Sequence, residues 1–337
     1  MNSNIYKLGR EEWLDIIKGV AIIGCVVQHA LQRTMYYFDL NDQFVYSFSN
    51  HIINKSDMCI FFLVSGFVYF KNKDRYLAKP AAFIKNRFID LMIPYLFFSM
   101  LVGGGKILFS QFVKNQIGIS ALFDIFVTPI AYLWFLYALF IIEVVVLLLD
   151  LVIKDRQWIK LLCLFIVFFY EQQHHGLNAL QRSAYYIFWY YTAFVLLRFD
   201  LNKIHKNKVL LCCIFFAWVI VSLVSFNTYN FWSIFAEMVL ASMFVYGLLY
   251  KCSANKLAPR FLNYVGGITM YMYILNPIVI NATRPLLHKI GVDSPVVNLI
   301  MFVITAVIVS IAVAEVGKRV AVMDCVFNPR KHIAKRK

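Results

Sequence analysis

Charge is scarce in this sequence. Only 15% of the 337 residues are Asp, Glu, Lys or Arg, where soluble domains carry about a quarter. Acidic residues are scarcer still, 18 against 33 Lys and Arg, which leaves a net charge of +15. With 8 Pro and 14 Gly, the chain lacks the composition of collagen or of a Pro/Gly-rich linker. None of the seven cysteines stands in C-x-x-C spacing, which excludes a disulfide scaffold and argues against a zinc site. What remains is apolar. Hydrophobic residues make up 61% and the mean hydropathy is +0.68, the composition of an integral membrane protein whose first partner is the lipid bilayer. Disorder is excluded by the same numbers. A chain this apolar also keeps too few polar residues for a solvated nucleic-acid face, so no nucleic-acid partner is expected.

A membrane span needs about 20 mostly apolar residues. Candidates fall near 13–31, 51–70, 89–109, 130–150, 157–171, 184–198, 209–226, 231–250, 261–282 and 296–316. The fold class expected is therefore all-α: a polytopic helical bundle of about ten transmembrane helices, forming one membrane-embedded domain over 1–337. Ten spans put both termini on one side, and the distribution of cations tests the count. Of the 33 Lys and Arg, 26 fall on the side of the termini, including the basic tail at 317–337. Only Arg33, Lys55, Lys106, Lys114, Arg182, Arg284 and Lys289 fall on the other. A wrong count would mix the two classes, so both ends are expected in the cytoplasm. The first span is not read as a cleavable signal peptide. Glu11, Glu12 and Asp15 crowd its start and no small-residue cleavage site follows.

Ionisable groups at bilayer depth are the functional candidates, since each costs about 2.5–3.5 kcal/mol to insert. Lys18 and His29 lie eleven residues apart in the first span, which puts them on nearly the same helix face and about 16 Å apart along the axis. A cation at the entrance and an imidazole deep inside suit a channel that admits an anionic substrate and moves a proton at its far end. The plainer alternative pairs Lys18 with Asp15 and hydrogen-bonds His29 to a neighbouring helix. Glu143 and Glu237 are mid-span with no basic neighbour in sequence, so each requires a partner from another helix or a watery cavity. Asp57 and Asp90 lie nearer span ends and read as solvated caps. Ser65-Gly66, inside the run Phe61 to Phe67, reads first as a close approach of two helix backbones. Lys85 and Arg87 read as a positive-inside anchor, and Leu133 to Tyr137, with Trp134, as an aromatic belt. His174-His175 has no third metal ligand at suitable spacing, and Gly103-Gly104-Gly105 lies within a span, not in a phosphate-cradling loop.

Four of these pieces, in this order, resemble the integral-membrane acyltransferase family 3, the group that contains bacterial O-acetyltransferases of cell-envelope glycans. Trp13 through Lys18-Gly19 to His29 is similar to the family's opening helix, where Arg or Lys precedes His by ten intervening residues. Phe61 to Phe67 matches its F-F-x-x-S-G-F signature. Lys85-Asn86-Arg87 with Pro94-Tyr95 is similar to its basic segment, and Leu133 to Tyr137 to its L-W-F-L stretch. One departure stands near the ninth span. Thr269 to Pro277 resembles a family segment that often carries His where this chain has Asn276, and Asn cannot exchange protons near neutral pH. Many relatives also append an extracytoplasmic hydrolase-like domain, which this sequence does not contain.

The resemblance implies transfer of an acyl group, most often acetyl from acetyl-CoA, to a hydroxyl of an envelope glycan or sugar at a bacterial plasma membrane. Acetyl-CoA is thus the expected donor, with no metal. Lys18, Lys85 and Arg87 are then expected to hold its phosphates, with His29 as general base. Ser65, Trp134, Glu143, Glu237 and Asn276 are expected to line or support the passage. A covalent acyl-His variant and a homo-oligomer both remain open. The alternative from a different class is a multi-span transporter exporting a glycan or small metabolite, with Glu143 and Glu237 as proton-relay groups. Only one Pro-interrupted span, at Asn276-Pro277, is expected, whereas transporters often pair two broken helices.

Overall fold

The computed structural model describes residues 12–108, 117–174, 178–198, 207–252 and 258–334. The cations at Lys7, Arg10, Lys114, Lys203, Lys206, Lys256 and 335–337, with Glu11 and His175, lie outside the described residues, as do the side chains of Glu12, Trp13, Leu14, Lys251 and Cys252. Among the described residues every regular element is helical and no strand is present. In chain order the helices are α1 Glu12–Phe38, α2 Phe44–Lys71, α3 Lys73–Ala78, α4 Pro80–Arg87 and α5 Ile93–Leu108. There follow α6 Trp134–Val152, α7 Gln157–His174, α8 Ala179–Arg198, α9 Lys208–Thr228 and α10 Phe231–Cys252. The last are α11 Ala258–Gly267, α12 Thr269–Lys289, α13 Pro295–Gly317, α14 Ala321–Phe327 and α15 Pro329–Ala334.

Helices occupy each of the ten segments marked as spans. Among the described residues six are long and apolar enough to cross a membrane: α1 from Asp15, α2, the stretch Pro80–Leu108, Ala131–Val152, α9 and α13. A seventh arises if α11 and α12, bent by 82° where they meet, count as one. The difference from ten has a physical source. α7 carries Lys160 and Glu171, α8 carries Arg182 and ends on Arg198, and only Phe231–Gly247 of α10 counts as a shorter apolar helix. The helices are also longer than the apolar runs that announce them: α1 continues to Phe38 and α2 begins at Phe44. The third segment starts at Pro80, with a π-helical turn, Phe88–Met92, between α4 and α5.

The break in the ninth segment is not at Pro277. α12 runs from Thr269 to Lys289 through both Pro277 and Pro285, and the bend falls at Gly267–Ile268. Proline removes the N–H that would bond the carbonyl four residues earlier, here that of Tyr273. The Asn276 side-chain amide supplies the missing donor, at 3.1 Å from the Tyr273 carbonyl and 2.7 Å from that of Met272. The helix therefore survives its proline.

The distribution of polarity is that of a protein in lipid. Asp57, Glu143, Asp150, Lys160, Glu237 and Asn276 are buried, while Ile300, Ile304 and Ile308 form an exposed stripe on α13, and Phe216, Ile220 and Val224 another on α9. Such a surface is stable against hydrocarbon and not against water. The chain divides into two compact units, Met1–Val64 with Arg198–Val316, and Ser65–Leu197 with Gly317–Lys337. In the first, α1 packs on α11 and α12, and α9 packs on α10. The α1–α11 crossing is close because of two glycines. A Cβ on Gly19 would strike the backbone of Leu262, and one on Gly266 the backbone of Asp15. In the second unit, α4, α5 and α6 surround the π turn. The Phe98 and Phe327 rings meet at 5.1 Å, which seats α14 against α5.

Candidate active site

In the first unit, α1 buries Ile22, Cys25, Val26 and Ala30 around the turn that carries His29. The His29 Nδ1 lies 2.6 Å from Asn276 Oδ1, a contact that joins α1 to α12 across 247 residues of sequence. The amide group of Asn276 is committed to the Met272 and Tyr273 carbonyls, so its oxygen must be the atom that faces the imidazole. That oxygen only accepts, and Nδ1 must therefore carry the hydrogen. The basic lone pair is thereby placed on Nε2. Asn276 does no proton chemistry of its own; it sets the tautomer of a residue that can.

Lys18 lies on the same face of α1 and pairs with Asp15 at 2.9 Å, with both side chains about one-third exposed. Glu237 finds its partners within the same unit. His51 Nε2 is 2.7 Å from Ser225 Oγ and 3.0 Å from Glu237 Oε2, and Ser225 also donates to Glu237. All three side chains are buried, on α2, α9 and α10. This is not a nucleophile arrangement, because serine and carboxylate share one ring nitrogen, whereas a triad uses both. Asp57 departs from the expected solvated cap. Since α2 starts seven residues before the apolar run, Asp57 is mid-helix and buried, and its carboxylate accepts from the Met58 N–H.

In the second unit, Arg87 Nε stands 3.1 Å from Glu143 Oε2, joining α4 to a buried position on α6, and its guanidinium lies over the Phe83 ring. Lys85, two residues earlier, is exposed. Trp134 stacks on Tyr186 with 5.6 Å between centroids, and Arg182 caps it at 4.6 Å. Beside Ser65, a Cβ on Gly66 would strike the Tyr190 carbonyl, so the pair does let α2 and α8 touch backbone to backbone. Asp90 sits in the π turn and pairs with Arg330 of α15 at 3.4 Å, so it is no solvated cap either. The densest polar group in this unit involves none of the residues singled out from sequence. Asp150, buried near the end of α6, accepts from Lys160, lies 3.0 Å from Lys73 Nζ and accepts from the hydroxyls of Tyr69 at 3.2 Å and Tyr191 at 3.4 Å.

The candidate residues thus fall into two sets. Lys18, His29, Glu237 and Asn276 belong to the first unit, and Ser65, Lys85, Arg87, Trp134 and Glu143 to the second. The structure joins His29 to Asn276 and Arg87 to Glu143, and it adds His51, Asp150 and Lys160, which the sequence did not mark. A signal for the last two existed. Asp150 and Lys160 each stand four residues outside the Lys154–Arg156 turn, a symmetric placement of opposite charges in adjacent apolar segments. Among the described residues no group of three or more His, Cys, Asp or Glu forms a metal site.

A family model described as an acyltransferase domain, that of acyltransferase family 3, matches residues 11–315. No curated protein and no solved structure matches the chain. The matched segment takes in every candidate residue named above, from Lys18 to Asn276. The chain is a multi-pass membrane protein that belongs to the integral-membrane acyltransferase family 3.

Proposed function

We propose that the protein is a membrane O-acyltransferase that moves an acyl group, acetyl by preference, from acyl-CoA to a hydroxyl of a bacterial cell-envelope glycan or sugar. The observation that carries this reading is the His29–Asn276 contact, which leaves the Nε2 lone pair as the base. In the step proposed, Nε2 takes the proton of the acceptor hydroxyl as its oxygen attacks the thioester carbonyl. The tetrahedral intermediate collapses with cleavage of the C–S bond, and the imidazolium returns the proton to the departing CoA sulfur. The products are an O-acyl ester and free CoA thiol, and no group is oxidised or reduced. General-base help of this kind accelerates reactions by about 10²–10⁴-fold.

The donor phosphates are assigned to Lys18, Lys85 and Arg87. Lys85 is exposed, whereas Arg87 already faces Glu143 and Lys18 faces Asp15, so Lys85 is the cation with most charge left to offer. The finer topology proposed is ten spans with both termini cytoplasmic, supported by the segregation of 26 of 33 cations. The transporter alternative would use Glu143 and Glu237 as relays. Each of them is bonded within its own unit, Glu143 to Arg87 and Glu237 to His51 and Ser225, which gives that alternative less support.

The test is thiol release from acetyl-CoA by purified full-length protein in nanodiscs, with envelope glycan as acceptor. His29→Ala is expected to lose release by at least about a hundredfold while remaining folded. Undiminished release by that variant overturns the scheme.

A further inference from the structure

Beyond His29, α1 carries two more polar side chains on the same face. At 100° per residue, Arg33 and Tyr36 fall within about 40° of His29, roughly 6 Å and 10 Å further along the axis. Arg33 is half-buried and Tyr36 is exposed. Two other cations of this unit have carboxylates. Lys18 is paired with Asp15. Arg284, whose guanidinium lies over the Tyr37 and Phe38 rings, is held by Asp293 at 3.1 Å and Asn298 at 3.3 Å. Arg33 has no hydrogen bond or ion pair among the described residues.

A half-buried arginine with no countercharge among the described residues has given up part of its hydration for nothing that those residues supply. Its planar fork suits a carboxylate or phosphate, gripped through two parallel N–H groups. Which substrate brings that anion follows from position. The donor phosphates are assigned to the Lys18 end of the stripe, about 16 Å from His29, and Arg33 lies on the opposite side of the histidine. We propose that Arg33 is a binding subsite for a negatively charged group, a carboxylate or a phosphate, on the acyl acceptor, holding it beside the hydroxyl presented to His29. The ligand class is therefore an anionic glycan, and only its designation as acceptor rests on the acyl-transfer reading above.

The experiment measures binding and turnover separately on the full-length protein in nanodiscs. Three oligosaccharide probes of equal length are titrated: a neutral glucan, a hexuronate oligomer and a glycerol-phosphate oligomer. At least one charged probe is expected to bind about tenfold or more tightly than the neutral one, as charge-assisted hydrogen bonds warrant. The comparison of the two charged probes tells a carboxylate from a phosphate ligand. Arg33→Gln is expected to erase the preference, and Arg33→Lys, which keeps the charge and loses the fork, to retain part of it. Equal binding of all three probes by the wild type, or a preference that survives in Arg33→Gln, overturns the proposal. So does an Arg33→Gln variant that loses turnover equally on neutral and charged acceptors, since the arginine then serves the reacting carbonyl. Failure of acyl transfer is read independently, from thiol release by the wild type, and leaves the binding comparison decisive.

Discussion

Replacing Asn276 by alanine removes two functions at once, and the structure allows them to be separated. The side chain accepts from His29 Nδ1 at 2.6 Å and donates to the carbonyls of Met272 and Tyr273. Loss of the acceptor leaves the imidazole N–H without its partner in a half-buried position, a penalty of about 1–3 kcal/mol on the productive ring state. If all of that falls on the transition state, turnover drops by about 5-fold to 150-fold with little change in KM for acyl-CoA. Loss of the donor returns the Tyr273 carbonyl to the condition Pro277 imposes and destabilises α12 by about 1 kcal/mol or more. The second change, Pro277→Ala, restores a backbone N–H to that carbonyl and not the acceptor for His29. The double variant should therefore recover thermal stability, followed by unfolding in detergent, and remain slow in thiol release from acetyl-CoA. Wild-type turnover in Asn276→Ala, or recovery of turnover in the double variant, would refute the tautomer argument.

Two further outcomes follow from the second unit. Lys160→Met leaves Asp150 with Lys73, whereas Asp150→Asn leaves Lys160 buried without a countercharge; the latter should cost about 3–5 kcal/mol, and the two together less than their sum, as a double-mutant cycle of unfolding would show. Asp324, at the start of the C-terminal helices, is raised by burial, but hydrogen bonds from Lys331, Asn328 and His332 outweigh this and bring it down to about 2. Because its pKa is depressed in the folded protein, its contribution is present above the ordinary value of 3.8 and is lost as pH falls through about 2. With Lys331 half-exposed, solvent screening limits the contribution to about 1 kcal/mol. Asp324→Asn should expose the tail to protease at pH 7 and make no difference near pH 2, in a pulse with an acid-tolerant protease.

What the sequence made legible was whatever a single helix fixes by periodicity. Lys18 and His29 are related by spacing alone, and so is Arg33, which charge segregation by itself marks only as a cation of the minority side. The polarity inversion of the bundle was equally visible in composition. Partners supplied from distant elements were not. Arg87 and Glu143 stand 56 positions apart, and nothing in either neighbourhood announces the other. His51 lies at the edge of an apolar run, and nothing around it announces Glu237, 186 positions away. The proline misled for a definite reason. A Pro inside a helix ordinarily marks the break, and nothing in the sequence shows that the neighbouring Asn276 replaces the lost backbone donor.

The Asp150–Lys160 pair bears on how the chain enters the bilayer. A nascent segment is judged by the translocon on its own apolarity, and α7, with Lys160 three residues from its start, makes a poor case for itself. Its countercharge has been synthesised only ten residues earlier, at the end of the most apolar neighbourhood in the second unit. In the ten-span topology proposed, the two segments partition as one hairpin, with the lysine neutralised before it leaves water and the turn at Lys154–Arg156 held back as its handle. Insertion of α7 is then a property of α6, and a deletion that spares every residue of α7 but removes Asp150 would strand it outside the membrane.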